Sequence, residues 1–226
     1  MSQANPPAAL FAWPTRAAVT RVLPKTKVYE HGRPGAALRG LFVAQVEQIV
    51  WAYKLAPETV NLPPGPGVTE IEVFQVVLKT PALDDAVLRC IDRAIPFPLL
   101  FELRFDGRSK AVAAYKRPSE ADPAQWVLGD YFSGPWQDDA LPRTNLPLAL
   151  DLTALYHQLL RTHLPVAARP GESLREQLDR LAELRTTQAA SRKLATQLAQ
   201  EKQFNRKVEL NARLRTIRHR LDNLSR

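Results

Sequence analysis

The sequence is short of the residues on which most enzymatic chemistry rests. Cys90 is the single cysteine among 226 residues. An intrachain disulfide is excluded, and so is a zinc site built on cysteines. Glycine is scarce, 9 residues against 19 prolines, and neither a Gly-rich phosphate loop nor a Gly-x-Ser-x-Gly elbow occurs. Gly65-Pro-Gly67 lies in a proline-rich turn, the wrong setting for cradling a phosphate. No apolar run approaches the roughly 20 residues of a membrane span. Met1 to Pro7 is polar and Pro-rich, with no basic stretch before an apolar one, so no secretory signal is expected and a cytoplasmic location is the default. His31 falls in an expected loop and His219 in the C-terminal tail. His157 and His163 are six apart on one expected helix, whereas a metal-binding pair wants three or four. No metal and no cofactor is expected. Cys90, beside Leu88 and Ile91, reads as an inert core thiol rather than a nucleophile.

What is present suffices for a core: 45% hydrophobic and 24% charged residues, which excludes global disorder. The length suits one ordinary domain plus an appendage. The formal net charge is +8, and it is unevenly placed. Residues 171–226 hold 13 Lys and Arg against 7 Asp and Glu, a net of +6, leaving +2 for the first 170. A concentrated positive field attracts polyanions such as nucleic acid, or the acidic face of a partner. A solvated helix with surplus arginine is the plain competing reading.

Three divisions follow: a loose lead-in over 1–13, an α+β globular domain over 14–170, and a basic, coiled-coil-like helical tail over 171–226. Pro14 suits the first turn of a short helix through Arg16, Val19, Val22 and Leu23. Val28 and Tyr29 suggest a short strand, and His31 to Gly40 a loop. Leu41 to Leu55 reads as strand in its second half, while Phe42 to Gln48 could also be helical. Ile71 to Lys79 is a strand buried on both faces. Ala82 to Ala94 is a helix, with Asp84 and Asp85 in its first turn. In Leu99 to Phe105 the odd positions point inward, and Glu102 and Arg104 out. Asp106-Gly107 turns that strand into a partner over Lys110 to Lys116, and Gln125 to Phe132 supplies another strand. Leu148 to Leu164 is a helix with Leu148, Leu152, Leu155, Leu159 and Leu160 on one face. The sum is a mostly antiparallel or mixed sheet of about five strands with flanking helices. Trp51, Trp126 and Trp136 read as core; Trp13 could pack as a staple or face a partner.

Glu172 to Arg226 contains no proline or glycine. Leu210, Leu214, Ile217, Leu221 and Leu224 step by 4, 3, 4 and 3, an a/d seam that must be buried in a hairpin, an oligomer or a partner's groove. Phe204-Asn205 could break the tail into a hairpin, or one helix could run through. Lys202, Arg206, Lys207, Arg213, Arg215, Arg218 and Arg220 are the candidate phosphate or partner contacts, with Phe204 among them. Such contacts would be sequence-independent and salt-sensitive.

The order helix, strands, helix, strand resembles the nuclease superfamily named for its PD-(D/E)xK motif. There a Glu two residues before a strand Lys helps to bind magnesium. Lys79 ends the right kind of strand, but Val77 stands at the Glu position and cannot ligate a hard cation. Glu70 and Glu72 lie near the strand's other end. A nuclease-like enzyme with a degenerate site is one alternative, and Lys79 as a plain surface lysine is the simpler reading.

Gln45 to Asn61, Glu70 to Lys79, Ile91 to Pro96 and Glu201 to Asn211 together resemble the bacterial domain-of-unknown-function family 4391 (DUF4391), over most of the chain. The resemblance carries no catalytic residues. It implies gene neighbourhoods with helicases and DNA methyltransferases of the restriction or phage-defence type. The expectation is a non-catalytic accessory subunit that binds such a partner, DNA, or both through the basic tail. A coiled-coil oligomeriser is the other alternative.

Overall fold

The fold is described from a computed structural model, covering residues 10–122 and 125–225. Only residues 10–13 of the expected lead-in fall within these. In chain order the elements are β1 (Phe11–Ala12), a 3-10 turn (Thr15–Ala17), β2 (Ala18–Val22), α1 (Lys25–Gly32), α2 (Ala36–Gln45), β3 (Val46–Leu55), α3 (Pro57–Val60) and β4 (Ile71–Leu78). Then come α4 (Asp85–Ala94), β5 (Leu99–Phe105), β6 (Arg108–Pro118), β7 (Trp126–Ser133), β8 (Gln137–Asp138), β9 (Thr144–Asn145), α5 (Leu152–Arg161), α6 (Leu174–Gln200) and α7 (Phe204–Ser225). The chain divides into two compact units between Leu164 and Pro165: the first holds the sheet, the second the two long helices.

The sheet is mixed, in the order β2-β3-β4-β5-β6-β7, with β8 also paired to β6. Every neighbour is antiparallel except β4 and β5, which are parallel and joined through α4. Parallel strands need such a crossover, and its helix covers one face. β4 is rich in Ile and Val and buried along most of its length. Phe74, Val76 and Leu78 of β4, with Leu99, Phe101 and Leu103 of β5 and Ile49 of β3, meet Val28 of α1, Phe42 of α2 and Val87, Leu88 and Ile91 of α4. Each such buried side chain stabilises by about 1.5–3 kcal/mol. On the opposite parity, Val73, Leu100 and Ala113 are buried too. Asp106 (φ 50°) and Gly107 (φ 69°) make the tight β5–β6 turn in left-handed conformations that Asp and Gly tolerate.

Several expectations need correction. Val28-Tyr29 is not a strand but the middle of α1, and His31 sits in the last turn of that helix. The expected loop to Gly40 contains the start of α2. Burial of Val28 and Phe42 against α4 outweighs weak local propensity here. The helix expected after Pro14 is one 3-10 turn, followed by β2 on the edge of the sheet. Leu41–Leu55 is helix up to Gln45 and strand from Val46. Leu148 is 96% exposed and outside α5; that helix begins at Leu152, where the Asp151 side chain accepts from the Ala154 N–H at 2.7 Å.

Gly32 marks the closest approach of α1 to α4. A Cβ there would lie 2.6 Å from Cys90 Sγ and 2.8 Å from the Cys90 carbonyl oxygen. Gly32→Ala is expected to destabilise by about 1–3 kcal/mol through overpacking, measured by urea unfolding; an unchanged midpoint would mean that α1 slides freely. Cys90 itself is buried, and burial pushes its thiol pKa up. That fits an inert core thiol.

Candidate functional site

The helical unit starts with a capping box: the Ser173 hydroxyl accepts from the Glu176 N–H, and the Glu176 carboxylate accepts from the Ser173 N–H at 2.8 Å. Arg180, nearly buried, pairs with Glu172 at 2.7 Å and donates to the carbonyls of Ala167 (2.7 Å) and Leu224 (2.8 Å). It ties the entry loop to the end of α7, where free carbonyls want a cation. The Glu172 carboxylate is held below its usual pKa by the Arg180 hydrogen bond.

α6 ends at Gln200 and α7 begins at Phe204, so the tail is a helical hairpin, broken over residues 201–203. The two helices pack on each other, and Leu210 and Leu214 are buried, with Ile217, Leu221 and Leu224 half-buried. Leu210 and Leu214 are thus covered inside the chain, while Ile217, Leu221 and Leu224 keep part of their surface exposed.

The candidate cations separate into two sets. Arg206 and Arg213 flank Glu209, at 3.0 and 3.6 Å, and Arg220 pairs with Glu183 on α6 at 2.7 Å. Lys202, Lys207, Arg215 and Arg218 are exposed and make no ion pair among the described residues. By helical spacing Phe204, Arg215 and Arg218 lie together on one flank of the seam, and Lys207, seven residues before Leu214, borders the seam itself. On that flank Phe204 is 77% and Val208 54% exposed. An exposed aromatic ring among unpaired cations can stack on a base while the cations meet phosphates.

The sheet unit buries charge. Glu102, expected to face out, is 1% exposed. Its carboxylate accepts from Arg143 at 2.6 Å, from the Trp13 indole at 2.6 Å and from Gln75 at 3.2 Å. Trp13 is therefore an internal donor, neither a staple nor a free docking residue. β5 is covered on both faces, so alternation along it does not mean solvent. A second network joins α4, β6 and β7. The Lys116 ammonium donates to the carbonyls of Asp92 and Ile95 and lies 3.5 Å from the Asp92 carboxylate, which also accepts from the Tyr131 hydroxyl. Burial raises the Asp92 pKa to about 6 and lowers that of Lys116. The short-range signal missed for Glu72, Asp92, Glu102 and Lys116 was available: a charged residue in a segment otherwise wholly apolar or core-facing must find a buried partner.

Lys79 and Glu70, at opposite ends of the same strand region, are engaged separately. Lys79 Nζ donates to the Val43 carbonyl at 2.8 Å, and Glu70 pairs with Lys54 at 3.0 Å. Among the described residues no group of three His, Cys, Asp or Glu could hold a metal ion. No described helix is long and apolar enough to cross a membrane.

Neither curated proteins nor solved structures give a match. A family profile described as "Domain of unknown function (DUF4391)" matches residues 11–221, which takes in the sheet unit and nearly all of the hairpin. The chain belongs to the DUF4391 family.

Proposed function

We propose that this protein is a non-catalytic accessory component of a restriction or phage-defence system, engaging DNA through an exposed flank of α7 in its helical hairpin. The observation that carries the reading is the sorting of cations on α7. Lys207, Arg215 and Arg218 have no acidic neighbour in contact, and Arg215 and Arg218 share a flank with the exposed Phe204. Phosphate recognition needs uncompensated Lys and Arg on one surface, and the exposed ring adds stacking. Arg206, Arg213 and Arg220 are secondary, because Glu209 and Glu183 offset their charge. Lys202, at the hairpin turn, extends the surface. The family resemblance supports a helicase or DNA methyltransferase as the larger partner.

The test is fluorescence anisotropy of labelled duplex and single-stranded DNA with the full chain, across a salt series. The triple change Lys207→Ala, Arg215→Ala, Arg218→Ala is expected to lower affinity about 100-fold or more and to reduce the slope of log affinity against log salt by about 3. The triple change at Arg206, Arg213 and Arg220 should have a clearly smaller effect. Equal losses from both triples would refute the face assignment. No binding by the unaltered protein would refute DNA as the target.

A further inference from the structure

The sheet unit contains a cavity of about 500 Å³ between the sheet and the helices α1 and α4. Its walls are largely apolar and include the rings of Trp51, Phe74 and Phe97 with Leu23, Val28 and Ile95. One carboxyl lines it, that of Glu72, which is only 6% exposed. Three basic side chains on exposed residues, Arg21, Lys27 and His31, stand at its edge. Lys27 is shared with Glu30 at 2.7 Å; Arg21 has no ion pair among the described residues. Arg21 is opposite Trp51 in the β2–β3 register, next to a bulge at which Thr20 takes φ 52°. Bulges of this kind recur beside sites, where they re-aim a side chain. The Trp51 indole N–H is buried with no hydrogen-bond acceptor, a rare condition that asks for an explanation.

A ligand complementary to this cavity has a flat, polar-edged ring for the aromatic walls and Glu72, joined to an anion for Arg21. We propose that the cavity binds a nucleoside monophosphate, with its base against Glu72 and the aromatic walls and its phosphate at Arg21. Its size suits such a molecule, and an apolar pocket with few convergent polar groups is the usual form of a small-molecule site. Burial and a hydrogen bond with the neighbouring Glu70 carboxyl hold the Glu72 pKa up, against the opposing pull of Lys54 and Lys116. With the shared proton lying between the two carboxyls, Glu72 presents acceptor lone pairs, which match the amino group of a purine base.

The test is isothermal titration of the full chain with AMP, adenosine, GMP and inorganic phosphate at pH 7. AMP and GMP, whose bases both carry an amino group, are expected to bind at least tenfold more tightly than adenosine, and phosphate alone not to bind measurably. Arg21→Ala, a change at an exposed site, should bring AMP down to the affinity of adenosine and leave adenosine unaltered. Glu72→Leu should abolish AMP binding, whereas Glu72→Gln, which keeps an acceptor, should retain it. No AMP binding by the unaltered protein, or AMP binding left unchanged by Glu72→Leu or by Arg21→Ala, would overturn the proposal. Failure of the DNA reading leaves these outcomes untouched, because the residues of the two sites are different. Conversely, the α7 triple variants should bind AMP normally, and a loss there would also count against a separate cavity site.

Discussion

Asp92→Ala is expected to lower folding stability by about 3–5 kcal/mol, because it removes the ion-pair partner of the buried Lys116 ammonium and leaves only the more distant, largely protonated Glu72 carboxyl to act on it. Both side chains are 2% exposed, so solvent offers neither of them a substitute partner. The change also removes the acceptor of the Tyr131 hydroxyl. The cost is a penalty for an orphaned charge and not the worth of the pair. Lys116→Met combined with Asp92→Leu should therefore be far closer to the unaltered protein than Asp92→Ala alone. Urea unfolding of the three proteins checks this, with the slope of the transition confirming that the same surface is exposed. The deficit of Asp92→Ala should narrow as pH rises, since burial already lowers the Lys116 pKa and a neutral amine is less costly. A single change costing less than about 1 kcal/mol, the scale of an exposed ion pair, would show that water reaches the network.

His163 is expected to make the protein acid-sensitive by about 3 kcal/mol. Its ring is 6% exposed and neither ring nitrogen has a hydrogen-bond partner. Burial lowers its pKa to about 4 from the ordinary 6.5. The unfolded chain thus takes up a proton before the folded one does. The sign follows: stability is complete above pH 6.5, falls as pH drops through the window from 6.5 to 4, and levels off below it. The size is about 2.5 units at 1.36 kcal/mol each. Raised carboxyl pKa values act oppositely. Asp92, at about 6, contributes stability at low pH that is lost as pH rises between 3.8 and 6. The informative quantity is therefore the difference between the unaltered protein and His163→Leu, followed by unfolding at several pH values. The leucine loses no hydrogen bond, so it should match or exceed the native stability at pH 7 and remove the fall between 6.5 and 4. A parallel pH dependence in both proteins would rule out His163 as its source.

The readable parts of this chain are those in which local chemistry and burial agree. β4 and β5 announce themselves through dense β-branched and aromatic residues, and α4 through Asp84 at its N-cap and a regular apolar stripe. Asp106-Gly107 fixes a hairpin by backbone sterics alone. The heptad spacing of α7 reads directly as a seam. Among the elements misread, α1 and α2 have weak stripes and become helices because Val28 and Phe42 find a core on α4 and the sheet. A contact of that kind joins residues far apart in sequence and leaves no local trace.

The same division runs through the candidate sites. Net charge and its concentration in the last quarter of the chain follow from the sequence, and so does the scarcity of cysteine and histidine. Which cations are free is a matter of pairing across α6 and α7: Arg220 is offset because Glu183 lies beside it, while Arg218, two residues away, is not. Glu72 and Glu102 look alike in their strands, yet one lines a cavity and the other is held by Arg143 and Trp13. Residue identity sets what each group can do chemically. Whether it meets solvent, a counter-charge or an empty pocket depends on which distant segments the fold stacks upon it, because dielectric and contact are properties of three-dimensional neighbours and not of chain order.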